Sequence, residues 1–244
     1  MTNMVNERIK VDEVVVAASG SARVRVVSEK GPFRILNMVV DERTGRDFYV
    51  TDIKVGRNSQ LVSVGAIHAS YFAQVGERED LMFDVLPRGA EAQIDVQNAS
   101  DEPRVFEAVL RGILDPSGGL PGGRYAVGFG STLVRARTVA KIRVQPQVEF
   151  LPDLLVVPPE TLESFKVVDL RVVGKSVECP RLGLGQVAEC RGPADDDLPG
   201  VFSFSASRTR IGDWIAVEVA NETDVDRFFC ATVTGGRVDL PNEV

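Results

Sequence analysis

Phe48-Tyr-Val-Thr-Asp-Ile-Lys-Val55 occurs a second time, lightly altered, as Phe165-Lys-Val-Val-Asp-Leu-Arg-Val172. Phe, Val, Asp and Val keep their places, while Ile53 becomes Leu170 and Lys54 becomes Arg171. The surroundings repeat as well. Ala22-Arg-Val-Arg-Val26 answers to Ala140-Lys-Ile-Arg-Val144, and Ile94-Asp-Val-Gln-Asn98 to Val217-Glu-Val-Ala-Asn221. Arg104-Val-Phe-Glu-Ala108 answers to Arg227-Phe-Phe-Cys-Ala231. The offsets are 118 (140 − 22), 117 (169 − 52) and 123 (221 − 98), so the blocks keep their order and drift only by small insertions. That pattern is expected of an internal duplication. The repeating unit is far longer than a solenoid repeat, so it reads as two similar domains in tandem.

The boundary falls at Asp115-Pro-Ser-Gly-Gly-Leu-Pro-Gly-Gly123, where Gly and Pro dominate as in a connector. The expected division is residues 1–114, a connector at 115–124, and residues 125–244. Each half is long enough to bury a core of its own. Around the repeated octet, short apolar runs alternate with turn signals. Arg23-Val-Arg-Val26 alternates as a half-buried strand does, and Phe33 to Val40 forms the next. Asp41 to Arg46 reads as a polar turn, Leu81 to Leu86 and Ala92 to Val96 as strands, and Val105 to Leu110 as the closing strand. The second half repeats the plan through Ala140 to Val148, Asp153 to Val157, Val201 to Ala206, Trp214 to Val219 and Arg227 to Val233. Strict alternation puts Tyr49, Thr51, Ile53 and Val55 on one face of the octet, with Phe48, Val50, Asp52 and Lys54 on the other. Asp52 with Lys54, and Asp169 with Arg171, then become same-face neighbours able to pair. The nearest approach to a helix is the short Pro159-Glu-Thr-Leu-Glu-Ser164. The expected fold class is all-β, two tandem β-sandwich (jelly-roll-like) domains.

A net charge of −7 argues against a generic attraction to nucleic acid, and no specific nucleic-acid site is expected. The first ten residues have neither the apolar core of a signal peptide nor a polybasic arm, and no run reaches transmembrane length. Cys179, Cys190 and Cys230 are odd in number and confined to one half, which fits a reducing assembly compartment better than a disulfide framework.

No catalytic kit is legible. His68 is the one histidine, and neither a matching histidine in the second half nor a Gly-x-Ser-x-Gly elbow accompanies it. The cysteine spacings of 11 (190 − 179) and 40 (230 − 190) are poor for zinc, although Cys179 and Cys190 flank a Gly-rich loop across which pairing stays open. Asp195-Asp-Asp197 has the oxygen chemistry of a Ca²⁺ ligand set without EF-hand spacing, and a solvated loop is the plainer reading. Gly128-Phe-Gly130 and Gly183-Leu-Gly185 do not open a helix after a strand, as a phosphate-binding loop requires. Trp214 is the sole tryptophan and falls in an expected strand, where core packing is the natural role. Catalytic, cofactor and metal sites are therefore all expected to be none.

Two fused β-sandwiches in one cysteine-poor chain resemble the double jelly-roll major capsid proteins of tailless icosahedral viruses, in particular the compact ones of bacteriophages. The paired blocks, the turns at Asn98 and Asn221 and the Gly-rich connector carry the likeness, which is one of pattern over most of the chain. It implies a structural virion protein, assembled in the host cytoplasm, in which a homotrimer presents six similar domains as a pseudo-hexameric block. The partner would be the chain itself, with other capsid proteins possible and membrane contact left open. The competing readings are a minor capsid or spike protein, and a duplicated carbohydrate- or cell-surface-binding sandwich. Such binding sandwiches place aromatics on an exposed face, and aromatics are only 7% here.

Overall fold

The structure, a computed structural model, describes residues 5–63, 65–81, 83–114, 123–177 and 200–237. It divides into two units, Met1–Leu61 with Ala66–Arg124, and Val62–Gly65 with Tyr125–Val244. Most of the Gly/Pro connector expected at 115–124 lies outside the described residues.

In the first unit the chain runs through β1 (Val5–Lys10), β2 (Val14–Val16), β3 (Ser21–Val27), β4 (Phe33–Val39), α1 (Glu42–Asp47), β5 (Phe48–Val55) and β6 (Asn58–Ser59). It continues through β7 (Ile67–His68), α2 (Ser70–Val75), β8 (Val85–Leu86), β9 (Glu91–Asn98), β10 (Arg104–Phe106) and β11 (Val109–Leu114). The second unit holds β12 (Arg124–Val134), β13 (Val139–Val144), β14 (Phe150–Val156), α3 (Pro159–Leu162) and β15 (Phe165–Val172). It ends with β16 (Lys175–Ser176), β17 (Val201–Ser203), β18 (Ile215–Asn221) and β19 (Arg227–Arg237).

One sheet of the first unit has the order β1-β11-β4-β8, the other β3-β9-β5-β6 with β7 added beside β5, and β2 pairs with β10 as a short ribbon. The second unit has β12-β19-β14-β17 and β13-β18-β15-β16. With β7 and the β2–β10 ribbon set aside, the remaining eight strands of each unit, counted in chain order, read 1-8-3-6 and 2-7-4-5. Two facing sheets with this strand order make a jelly roll, and the chain contains two. In the second unit one apolar core joins both sheets: Phe129, Phe150, Leu155, Phe229 and Val233 from one, Ile142, Phe165, Leu170, Ile215 and Val217 from the other.

The repeated octet forms β5 and β15, and the two copies match residue by residue. Phe48 pairs with Asn98 and Val55 with Ala92; Phe165 pairs with Asn221 and Val172 with Ile215. Each strand carries a β-bulge at the same place, with Thr51 extra in one and Val168 extra in the other. A bulge adds one residue and inverts the side-chain parity beyond it. The strict alternation expected for the octet is therefore overturned: Phe48, Val50, Ile53 and Val55 all face the core, while Tyr49 and Lys54 are half-buried and Thr51 is exposed. Phe165, Val167, Leu170 and Val172 do the same.

Other boundaries shift for local reasons. The polar turn expected at Asp41–Arg46 is a helical turn, because the Asp41 side chain accepts from the Thr44 N–H at 2.6 Å and caps α1. The single strand expected over Val105–Leu110 is split into β10 and β11, and only Val85 and Leu86 of the Leu81–Leu86 run are strand. In each unit a glycine lets strands approach closely. A Cβ on Gly112 would lie 2.2 Å from the Arg34 carbonyl oxygen, and one on Gly235, 123 residues on, 2.1 Å from that of Leu151.

Candidate assembly surface

Asn98 ends β9 opposite Phe48 and is buried. Its Nδ2 donates to the carbonyls of Val16, Ala17 and Glu102 at 3.1, 3.1 and 2.8 Å. Its Oδ1 accepts from the Ser100 N–H and hydroxyl at 2.9 and 2.8 Å. Asn221 ends β18 opposite Phe165 and repeats the device. Its Nδ2 donates to Val134 and Val225 carbonyls at 3.0 and 2.9 Å, and its Oδ1 accepts from the Thr223 N–H and hydroxyl at 2.9 and 2.7 Å. Only an amide offers donors and an acceptor on one short side chain, so Asp at either position would lose the donors. Beside each clamp two phenylalanines meet edge to face, Phe48 with Phe106 at 5.2 Å and Phe165 with Phe229 at 5.4 Å. The facing turn is repeated too. Ser19 and Arg137 both adopt positive φ, at 51° and 55°, and donate their N–H groups to Ser100 and Thr223.

These clamps fix the end of a strand pair whose outer side is apolar. In the first unit Val15 pairs with Val105 across β2 and β10, and they are 69% and 49% exposed. By the same offsets of 118 and 123, Leu133 on β12 and Phe228 on the neighbouring β19 stand in their places, 52% and 61% exposed. An isolated exposed valine is ordinary surface. Apolar residues kept outside at the equivalent positions in both units, beside a hydrogen-bonded clamp, have the composition of a contact patch. Sequence reasoning passed over these four residues. The signal was present in the offsets, which set an apolar residue at an outward register twice.

The outer face of each 2-7-4-5 sheet is charged. In the first unit Arg23 binds both oxygens of Asp95 at 2.6 and 2.9 Å, Lys54 lies 3.3 Å from Asp52, and Arg25 lies 3.4 Å from Glu91. The Arg23 hydrogen bond, followed by its charge, holds the Asp95 carboxyl below its ordinary range. In the second unit Arg171 binds Asp169 at 2.5 Å. Asp52 and Asp169 also accept from the equivalent hydroxyls of Ser59 and Ser176, at 2.6 and 3.1 Å. Asp52 with Lys54, and Asp169 with Arg171, thus pair within one sheet face, as same-face neighbours should.

The remaining sequence candidates do not converge. His68 is buried in β7 with its ring edge-on to Tyr49 at 4.8 Å; burial pushes its pKa down to about 4, against a smaller opposing pull from Asp47. Cys230 is a buried thiol 3.4 Å from the Thr161 hydroxyl. Cys179, Cys190 and Asp195, Asp196 and Asp197 lie outside the described residues. Among the described residues no group of three or more His, Cys, Asp or Glu is placed to hold a metal ion, and no helix is long and apolar enough to cross a membrane. Trp214 overturns its expectation of a core role. The strand starts one residue later, at Ile215, and with Ile215, Val217 and Val219 turned inward, Trp214 is left 49% exposed.

No protein-family model matches the chain, and no curated protein matches it. Among solved structures, the major capsid protein P2 from bacteriophage PM2 aligns with a TM-score of 0.46 and 9% identity, over 96% of this chain and 98% of that one. The PBCV-1 virus capsid, a quasi-atomic model, aligns with a TM-score of 0.43 and 7% identity, over 97% of this chain and 94% of that one. A fucolectin from striped bass (Morone saxatilis) serum aligns with a TM-score of 0.26 and 10% identity, over 94% of this chain and 86% of that one.

Proposed function

We propose that this chain is a non-enzymatic structural protein, the major capsid protein of a tailless icosahedral bacteriophage, and that its two jelly rolls arose by duplication. The observation that carries the reading is the recurrence of exposed apolar residues at equivalent positions, Val15 and Val105 in one unit and Leu133 and Phe228 in the other, beside equivalent asparagine clamps. Burying a Val, Leu or Phe side chain contributes about 1.5–3 kcal/mol, so two such pairs per chain supply a substantial drive to associate. Closed symmetric contact is the usual outcome for identical chains. Three copies bring six equivalent patches to one block, and such blocks tile a virion shell. The matched registers and bulges of β5 and β15 support the duplication, because the same irregularity at the same residue is needed by neither sheet alone.

Light scattering coupled to size exclusion, over a range of protein concentration and salt, tests the proposal. The wild-type chain is expected to run as a trimer or larger. Val105→Asp and Phe228→Asp, both on exposed positions, are expected to keep the circular dichroism of the parent and weaken association by about tenfold or more, because each buries an unpaired charge at the contact. A wild-type chain that stays monomeric throughout, or a Phe228→Asp chain that associates like wild type, would sink the reading.

A further inference from the structure

The outer faces of the two 2-7-4-5 sheets differ at one end. In the first unit Glu91 takes the charge of Arg25 at 3.4 Å, and Gln93 donates to Glu91 at 2.8 Å, which fills the space between. At the equivalent positions of the second unit stand Trp214 and Ala216 (91 + 123 and 93 + 123), while Arg143 takes the place of Arg25 (25 + 118). Loss of the carboxylate and the amide leaves a groove of about 310 Å³ lined by Lys141, Arg143, Arg171, Val173, Trp214 and Ala216, with Asp213 at its rim. Ala216 pairs with Arg143 on one side and Arg171 on the other, so it floors a gap between two guanidinium groups. Arg171 is committed to Asp169. Lys141 and Arg143 have no ion pair among the described residues.

Hydrogen bonds brace the groove. The Trp214 carbonyl accepts from the Val173 N–H at 3.1 Å, and Gln145 donates to the Gly212 carbonyl at 2.9 Å. The Asp213 carboxylate accepts from the Arg210 N–H at 2.7 Å, and the Asp213 N–H returns a bond to the Arg210 carbonyl. One wall is the β15–β16 turn, where Val173 has a φ of 52°. A β-branched residue held there is strained, and strain of this kind collects at ligand-facing segments.

We propose that this groove binds a carboxylate-bearing saccharide, of the uronic or sialic acid class. Arg143 presents a planar fork matched to a carboxylate. The exposed indole of Trp214 offers a flat apolar surface to the C–H face of a sugar ring. Asp213 and Lys141 supply an acceptor and a donor for ring hydroxyls. The volume sits at the small end of ligand pockets, which suits one or two sugar units. Nucleic acid fits less well, because a single aromatic gives only one stacking platform. A peptide fits less well because the face of a sheet has its backbone groups committed to the ladder. The site is confined to the second unit and does not depend on the assembly reading.

Because Trp214 is the only tryptophan, its emission reports the groove in the intact chain. Titration with glucuronic acid and N-acetylneuraminic acid is expected to give a saturable change in emission, with glucose and acetate giving little. Arg143→Gln, at an exposed position, is expected to weaken binding by about tenfold or more, the worth of a charged hydrogen-bonded contact. Ala216→Gln, which restores the side chain of the first unit, is expected to close the gap and abolish the response. No saturable change with either acid sugar, an equal response to glucose or acetate, undiminished binding by Arg143→Gln, or tighter binding of an oligothymidylate would each overturn the proposal.

Discussion

Acidification should loosen the first unit through one residue. His68 lies in β7 beside Tyr49 of β5, its Nδ1 accepts from the Ser70 N–H at 3.4 Å, and burial lowers its pKa from 6.5 to about 4. The unfolded chain therefore binds this proton between about pH 6.5 and pH 4 while the folded chain does not. Protons bound by the unfolded state favour it, so stability is intact above pH 6.5 and falls as pH drops through that window. With these two values the loss is about 2 kcal/mol at pH 5 and about 3 kcal/mol at pH 4. Carboxylates lose their own interactions at low pH, so the measurement is a difference. Urea unfolding of wild type and His68→Leu at pH 7.5 and pH 5 should show wild type losing about 2 kcal/mol more than the variant. The protein has a single histidine, so one imidazole resonance followed by NMR across pH gives the folded value directly. A midpoint near 6.5, or identical pH dependence in the two chains, would refute the assignment of a buried neutral imidazole.

The two asparagine clamps should be equally costly to remove. Asn98→Ala and Asn221→Ala each strand buried carbonyls and a facing N–H, so each is expected to destabilise its own unit by about 3 kcal/mol, read as a drop in its unfolding midpoint. Substitution by Asp, which keeps the shape and loses the donors, should rescue neither. In the opposite direction, Val173 and Gly174 both have positive φ in the two-residue turn between β15 and β16, where Asn-Gly is the preferred pair. Val173→Asn is expected to stabilise the second unit by about 1 kcal/mol, and thermal melts showing no rise would mean that the turn relaxes in solution.

Much of this architecture was readable from residues because the fold's most constrained positions recur. Asn98 and Asn221, the paired phenylalanines and the octet itself are fixed by burial and by hydrogen bonds that tolerate few alternatives, so they keep their spelling. The bulge was also legible in principle. Apolar residues at 48, 50, 53 and 55 are spaced two, three, two, and a rule of strict alternation hides that step. Residue type alone assigns an apolar residue such as Trp214 at a strand end inward, whereas parity with Ala216 and Glu218 assigns it outward. β1 and β12 escaped notice for a different reason. β1 is mostly polar, and Gly128 and Gly130 interrupt the apolar rhythm of β12, whose place in the sheet is set by pairing with β19. Long-range pairing of that kind leaves little local trace.

Comparison of the two units separates what the fold needs from what each copy is free to do. The clamps and close-approach glycines are common to both, and each answers a local requirement of a jelly roll; the bulges are common as well. The exposed apolar pairs are also common, yet nothing inside either unit requires Val15, Val105, Leu133 or Phe228 to be apolar, since all four lie outside the core. Their recurrence therefore points to a demand made from outside the unit, which the proposed self-association would supply. The groove at Trp214 shows the reverse. Its equivalents Glu91 and Gln93 close a charged surface on themselves, whereas Trp214 and Ala216 leave Arg143 open. In the proposed trimer the shared patch would occur six times and the groove three, so contacts common to every position and recognition particular to one unit would be carried by different residues of the same scaffold.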